Sequence, residues 1–566
     1  MPTCRKRKPK SDEAKLLKDV RNKLPTHVLE IELAVTERQD WMLKRIGEQL
    51  RIIRNTVMGQ LLKNYNRMIS TKAYRQTIKQ YRQVCNSIKN LKSDNNRELL
   101  NRKKDLAAKL DELHSSHNVT FEYTRKYGEG LNRLFSLPDS VTTLTVCEMV
   151  WQSIEALLFR NAERPYFYRK GGLVTFQGKQ ANKSIILKHD SLKNSFYISY
   201  MKMAFPLIVK ERDLYVPEAL DNIAYYMLHG AEIDRGNMQR YEQGLDLHPT
   251  YRPLNNRIVR KQIRGKTRYY VQIALEGAPV PRRKKDGSMR HVYGVGRIGG
   301  DVGTQSLATV SKDQATLINL AERSPISFAH EHKIYLLQRY LDRSKRATNP
   351  ENFNENGTVK KGRKAWKYSK RYRVAKTKIK ELHRKAAASR QYAINEEVNY
   401  LRSLGNELII ESMDIKALQK KAKEVSTNPK TGKFNRRKRY GKSIGKRCPG
   451  YLIQQAKYRF KSSGGIVREV NTWTFKASQY DHILDDTDKK QLSMRWHTLP
   501  NGTKIQRDIY SAFLLYCAMN DLQKPDKEQC DEFFGQFLVM HDRCVGEIAA
   551  SGRTVMNSGI KAIKVA

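Results

Sequence analysis

The stretch Arg297-Ile298-Gly299-Gly300-Asp301-Val302-Gly303 constrains this chain more than any other. A short β-like run there delivers one carboxylate beside two small residues, then turns back through Thr304-Gln305 into Ser306-Leu307-Ala308-Thr309-Val310. Three successive short strands are expected, over 293–299, 306–311 and 316–320, and their spacing fits an antiparallel meander. An Asp next to Gly is most often a turn residue without chemistry. Asp301 gains meaning only if further carboxylates occur in complementary contexts.

Two such contexts follow. In Glu407-Leu408-Ile409-Ile410-Glu411-Ser412-Met413-Asp414-Ile415 a buried-type strand ends in Glu411. In Ile505-Gln506-Arg507-Asp508-Ile509-Tyr510-Ser511-Ala512-Phe513 Asp508 opens a helix, and the small Ser511 and Ala512 let that helix pack closely on a sheet. Each acid alone has an ordinary explanation, the helical one in capping and the helix dipole. Together they meet a physical requirement. Phosphodiester cleavage with two metal ions about 3.5–4 Å apart takes several acidic ligands converging from rigid elements. Magnesium, which prefers oxygen ligands in octahedral geometry, is the cofactor such a set would take, with manganese as a substitute.

Charge points to the partner. Lys and Arg number 107 against 57 Asp and Glu, a formal net charge of +50, and the excess recurs in blocks along the chain. A polyanion is the natural partner. Residues 360–385 hold thirteen Lys or Arg and one acid, Glu381. A solvated helix face would mix its signs, so this arm, with Arg363, Lys367, Arg371, Arg373 and Lys376, is expected to lie along a phosphate backbone. Residues 418–447 add twelve basic residues and several glycines, a flexible basic loop in which Arg436, Arg437 and Arg439 are candidate contacts. A hairpin tip, Arg264-Gly265-Lys266, contributes Arg264 and Lys266. No apolar run approaches the ~20 residues of a spanning helix, and residues 1–8 lack a hydrophobic segment, so nucleic acid is favoured over membrane and a cytoplasmic setting is expected. The cysteines at 4, 85, 147, 448, 517, 530 and 544 are scattered, with no Cys-x-x-Cys pair, and read as reduced thiols.

At 566 residues the chain exceeds what one core usually covers. Residues 1–26 read as a basic mobile leader, and 27–35 with 165–285 as a small β domain. Residues 36–164 form a helical insertion, entered through a Thr36–Gln39 capping box and containing a helical hairpin around Ser93-Asp94-Asn95-Asn96. A linker at 279–287 leads to a nuclease region, 290–520, with a basic helical arm at 330–404. Residues 521–566 read as a final helix and a mobile tail from Ser551.

The three acidic segments resemble a known family. Gly299-Gly300-Asp301-Val302-Gly303 through Leu307-Ala308-Thr309, Ile409-Ile410-Glu411-Ser412-Met413-Asp414-Ile415-Lys416, and Arg507-Asp508-Ile509-Tyr510-Ser511-Ala512 are similar to the split RuvC motifs of TnpB, the RNA-guided nucleases of small insertion elements, and of the related compact type V CRISPR effectors. The basic helices around Leu382-His383-Arg384 and Arg390 share the likeness, which covers roughly 290–520; the N-terminal half agrees in texture only. The resemblance implies an α+β multidomain chain. A helical recognition lobe and a small wedge-like β-barrel would precede a ribonuclease-H-like (RuvC) α/β nuclease domain with inserted basic helices. It implies Asp301, Glu411 and Asp508 as metal-binding catalytic residues, and as partners a guide RNA and target double-stranded DNA, with one or two copies of the chain on one RNA. The guide would supply specificity by pairing, while the protein reads a short flanking duplex motif.

One departure stands out. Most relatives carry a four-cysteine zinc ribbon between the second and third motifs, whereas 472–506 contains no Cys, and no zinc is expected. His482 and His497 with Asp481 or Asp485 could form a nitrogen and oxygen site, but a packed loop with Tyr480, Leu492, Trp496 and Leu499 as its apolar core is the better reading. His330-Glu331-His332 reads as an ordinary helix start. Two other functions compete. A nuclease-inactive, RNA-guided DNA-binding repressor predicts loss of one acid, yet all three are present. A conventional transposase of the same fold ends in a helical Glu, where this chain has Asp508.

Overall fold

The computed structural model describes residues 11–561 except 91–96, 161–164, 191, 194, 322–324, 421–423, 425, 428–431, 433–440, 490 and 492. The mixed α+β chain divides into two compact units, Met1–Val280 and Pro281–Ala566. No helix among the described residues is long and apolar enough to cross a membrane.

The first unit is built on an antiparallel sheet of β1 (Thr26–Leu33), β2 (Thr175–Gln177), β3 (Ile186–Asp190), β4 (Ser195–Tyr200), β5 (Met203–Ile208), β6 (Pro253–Ile263) and β7 (Lys266–Glu276). The order is β2-β6-β7-β1-β5-β4-β3. Alternation places β1: Leu29, Ile31 and Leu33 are buried while Glu30 and Glu32 face Lys261 and Arg268 across the sheet. The Thr36–Gln39 capping box forms, with both reciprocal hydrogen bonds, and opens the Glu37–Ser70 helix. That helix shares one core with the sheet through Ile53, Val57 and Leu61. The β6–β7 turn is two residues long, with Arg264 and Gly265 at φ of 50° and 79°, the left-handed pair a tight hairpin needs.

Three expectations change here. The wedge-like region is a sheet whose order has two ends, β2 and β3, and not a closed barrel in its hydrogen bonding. Residues Asp12–Lys23 of the expected leader are a helix, capped by the Ser11 side chain and tied down by buried Val20 and the Arg21–Asp234 ion pair at 2.6 Å. A helix the sequence reading omitted, Tyr215–Glu242, supplies Asp234 and breaks its geometry at His229. The hairpin turn at 93–96 lies outside the described residues.

The second unit holds β8 (Arg297–Val302), β9 (Ser306–Val310), β10 (Ala315–Asn319), β11 (Glu407–Glu411) and β12 (Ile466–Val470) in the order β10-β9-β8-β11-β12. The meander β8–β9–β10 is antiparallel, and β11 runs parallel to both β8 and β12. Both faces are covered, which suits the continuous apolar run Leu408-Ile409-Ile410. Ile298, Val302, Leu408 and Ile410 pack with Val398 and Leu401 of the Lys370–Leu404 helix and Leu452 and Phe460 of the Pro449–Ser462 helix. Ala308, Val310 and Ile409 pack on the other face with Ala512 and Phe513 of the Arg507–Tyr516 helix and Phe537 of the Lys527–Ala550 helix.

β8 starts at Arg297, four residues later than the pattern suggested, because the Arg297 guanidinium bonds Glu407 on β11 at 3.0 Å and the Ala518 carbonyl at 2.6 Å. The strand runs on to Val302, so Asp301 stands inside it. Of the expected flexible loop, Gly441–Arg447 is helical. The expected mobile tail is pinned as far as it is described: Asn319 on edge strand β10 donates to the Thr554 carbonyl at 2.9 Å and accepts from the Met556 N–H at 2.8 Å, while Val555 is buried.

Candidate metal centre

Register sets the first two acids side by side. β8 and β11 pair in parallel as Arg297↔Glu407 through Gly300↔Ile410, so the next step along both strands reaches Asp301 and Glu411. Two-residue periodicity puts Asp301 on the face of Gly299, and Glu411 on the face of Ile409. The Arg507–Tyr516 helix covers that face. Gly299 makes this possible, since a Cβ there would lie 2.0 Å from the Ala512 carbonyl oxygen and 2.3 Å from the Tyr516 nitrogen. Asp508, in the first turn of the helix, thus comes to the end of the sheet where Asp301 and Glu411 stand.

Electrostatics records the convergence. The Asp301 carboxyl is pushed well above its ordinary range, first by burial and then by the charges of Asp508 and Glu411, with Arg507 pulling the other way. Burial also raises Glu411, opposed by the Ala477 N–H, which donates to its carboxylate. Arg507 reaches Asp508 at 3.4 Å and donates to the Met494 carbonyl at 3.2 Å.

The helix start is held by groups outside the acids. The Gln506 side chain accepts from the Ile509 N–H at 2.8 Å, and the Gln506 N–H donates to Nε2 of buried His541 at 2.9 Å. Nε2 must then be the unprotonated nitrogen, leaving Nδ1–H to donate to Asp542 at 2.8 Å.

The donor set fits magnesium in chemistry: three carboxylates, all oxygen, from two strands and a helix. As the side chains stand, no group of three or more His, Cys, Asp or Glu among the described residues is spaced to hold an ion. Burial first, and then the charges of Asp508 and Glu411, raise Asp301, and a cation would offset both.

In the cysteine-free stretch that precedes the Arg507–Tyr516 helix, Asp481, His482, Asp485 and His497 have packing or hydrogen-bond partners. His482 Nδ1 lies 2.7 Å from the Tyr510 hydroxyl, and its ring contacts Phe513 and Phe534. Asp481 accepts from the Ile483 N–H, Asp485 accepts from the Tyr480 hydroxyl at 2.6 Å, and His497 lies edge-on to Tyr510. Tyr480 and Leu499 are buried and Trp496 is half-buried; Leu492 lies outside the described residues. In the helix-start cluster, Glu331 pairs with Lys446.

The nucleic-acid candidates divide. Arg363, Lys367, Arg371, Arg373 and Lys376 are exposed, as are Arg264 and Lys266 of the other unit. The arm's turn is organised by Asn349, which exchanges hydrogen bonds with the Lys367 backbone at 2.6 and 2.9 Å, and by Lys345 Nζ, 3.6 Å from the Trp366 ring centroid. Val374 of the Lys370–Leu404 helix is 64% exposed. Arg436, Arg437 and Arg439 lie outside the described residues. Three contributors had escaped the sequence reading: Gly299 as a close-approach point, Ala477 and His541. Only the Gly-Gly pair could have signalled any of them.

No family model and no curated protein matches the sequence. Solved structures similar to it include the Cas12f1–sgRNA–target DNA complex, with a TM-score of 0.39 and 10% identity over 87% of this chain and 98% of that one. A CRISPR–Cas12f ternary complex gives 0.23 and 11% over 87% and 86%. A Cas12i–crRNA–dsDNA complex gives 0.27 and 11% over 93% and 71%. Likeness at this level decides neither fold nor function.

Proposed function

We propose that this chain is an RNA-guided DNA endonuclease that cleaves by magnesium-dependent phosphodiester hydrolysis. The observation that carries the nuclease reading is the meeting of Asp301, Glu411 and Asp508 at one end of one sheet face, strongly enough for two of the acids to raise the third. A meander followed by two parallel strands, with the last acid on a helix laid across the sheet, is the layout that a ribonuclease-H-like reading requires. Guidance by RNA rests on the motif resemblance and on the +50 charge, which suits a chain that holds RNA and DNA together.

Asp301, Glu411 and Asp508 would hold the metal, which supplies activation of a water and stabilisation of the leaving oxygen. The rest is the work of this chain's own groups. Ala477 orients the Glu411 carboxylate, and His541 and Gln506 fix the helix start that carries Asp508. Arg507 places a positive charge beside Asp508. The exposed cations of the arm carry phosphates, with Arg371, Arg373 and Lys376 on one helix.

The test of guidance is to sequence the RNA that copurifies with the protein and to challenge the complex with plasmids that carry or lack its complement. Cutting confined to plasmids with the complement and a suitable flanking motif is the expected result. Equal cutting of both, or a protein free of RNA, contradicts guidance while leaving the nuclease centre to be judged separately.

A further inference from the structure

We infer that Trp473 is a stacking platform for a base of the single-stranded DNA segment that enters the three-carboxylate site. The inference deepens the nuclease reading and rests on it for the identity of the site.

The chain has five tryptophans. Four have occupations: Trp41 lies under the Arg45 guanidinium, Trp151 packs partly buried on the first unit's core beside Phe121, Trp366 carries Lys345, and Trp496 donates to the Gly559 carbonyl at 3.1 Å. Trp473 is 87% exposed, the largest apolar side chain left in water to that extent among the described residues. Exposing an indole costs about 2–3 kcal/mol of burial it could have had elsewhere.

Its mounting is rigid and shared with the acid. Directly after β12, Asn471 accepts from the Trp473 N–H at 2.9 Å, and the Thr472 hydroxyl donates to the Ser412 carbonyl at 2.8 Å. Ser412, next to Glu411, donates its own N–H to the Val470 carbonyl at 3.0 Å. Phe475 is buried, and Ala477 donates to the Glu411 carboxylate. One short segment thus orients a site carboxylate and presents a bare aromatic ring to solvent four residues earlier (477 − 473).

The surroundings of the ring select its partner. Asn471, Thr472 and Thr474 are exposed and Lys476 is partly so, which sets the ring among polar neighbours. The two hydroxyls already donate to the Ser412 and Asn471 carbonyls, and the Asn471 amide and the Lys476 ammonium are the donors for a phosphate. A protein-docking patch would continue in apolar residues; this sequence offers phosphate donors around a single ring. Every base has a π face, and only an unpaired strand presents it, so single-stranded DNA is the ligand that uses all these groups.

The test uses a full-length Asp301→Ala protein, which keeps DNA intact, with and without Trp473→Phe. A single-stranded oligodeoxynucleotide is added, then the same length with abasic sites. The expected result is quenching of tryptophan fluorescence by the first oligonucleotide that is lost in the Trp473→Phe protein and lost with the abasic one. In the cutting-competent protein, Trp473→Ala should raise KM for single-stranded substrate about tenfold with little change in kcat, and Trp473→Tyr should restore most of it. Equal quenching with and without Trp473, undiminished quenching by the abasic strand, or an unchanged KM overturns the inference. Failure of the nuclease reading shows differently, as an Asp301→Ala protein that still cuts.

Discussion

Gly299 lies directly against Ala512, so close that a Cβ at position 299 would stand 2.0 Å from the Ala512 carbonyl oxygen. The atom in the way is backbone, so the helix and not a flexible side chain would have to move. Gly299→Ala is predicted to destabilise the second unit by about 1–3 kcal/mol, the usual range of overpacking, and to lose cleavage because Asp508 moves with its helix. Thermal unfolding and cleavage assays on the same preparation check both halves. A variant as stable and as active as the parent would show that this close approach does not set the site.

Acid should loosen the same helix start through His541. Burial lowers its pKa, opposed by Asp542, and Nε2 must stay unprotonated to accept from Gln506. The unfolded chain takes up this proton near a pKa of about 6.5, while the folded one resists it. Above that pH the group therefore adds no pH dependence. Below it stability falls by up to about 1.4 kcal/mol per pH unit until the folded pKa is reached. Burial lowers His27, His114 and His482 too, adding slope of the same sign. The expected outcome is a midpoint that falls as pH drops from 7 to 5, less steeply in a His541→Gln variant. A slope unchanged by that substitution would count against the assigned tautomer.

The basic arm should act through phosphates without reading sequence. Arg371, Arg373 and Lys376 stand exposed on the Lys370–Leu404 helix. Changing each to Ala is expected to weaken nucleic-acid binding alike for all sequences and to lower the slope of log K against log salt by about 0.7–0.9 for each phosphate that the missing cation no longer neutralises. Binding isotherms at several salt concentrations give the slope. Weakening confined to one target sequence would contradict a phosphate role.

Much of this was legible in the residues because its causes are local. The alternation in β1, the Thr36–Gln39 box and the Arg264-Gly265 turn depend on neighbours a few positions away, and each forms as its chemistry dictates. The meander and the strand end at Glu411 were readable for the same reason, from apolar runs between turn residues. Long-range relationships were not. The start of β8 depends on Glu407, which is 110 positions away, the order of the tail depends on Asn319, and the tautomer of His541 depends on Gln506. The helix Asp12–Lys23 was hidden by its charge, since only Val20 is buried and an ion pair to Asp234 does the rest. At the site, the three acids could be found by their contexts, but Gly299's role is a property of two backbones meeting and has no signature beyond small size.

The most direct measurement is cleavage of matched DNA by the RNA-bound Asp301→Ala protein over a range of magnesium concentrations, with binding of the same DNA followed in parallel. Asp301 is the acid that both others raise, so removing it takes away the centre of the set. The account predicts no cleavage at any magnesium concentration and target binding equal to that of the parent protein. Cleavage at the parental rate by this variant would contradict it.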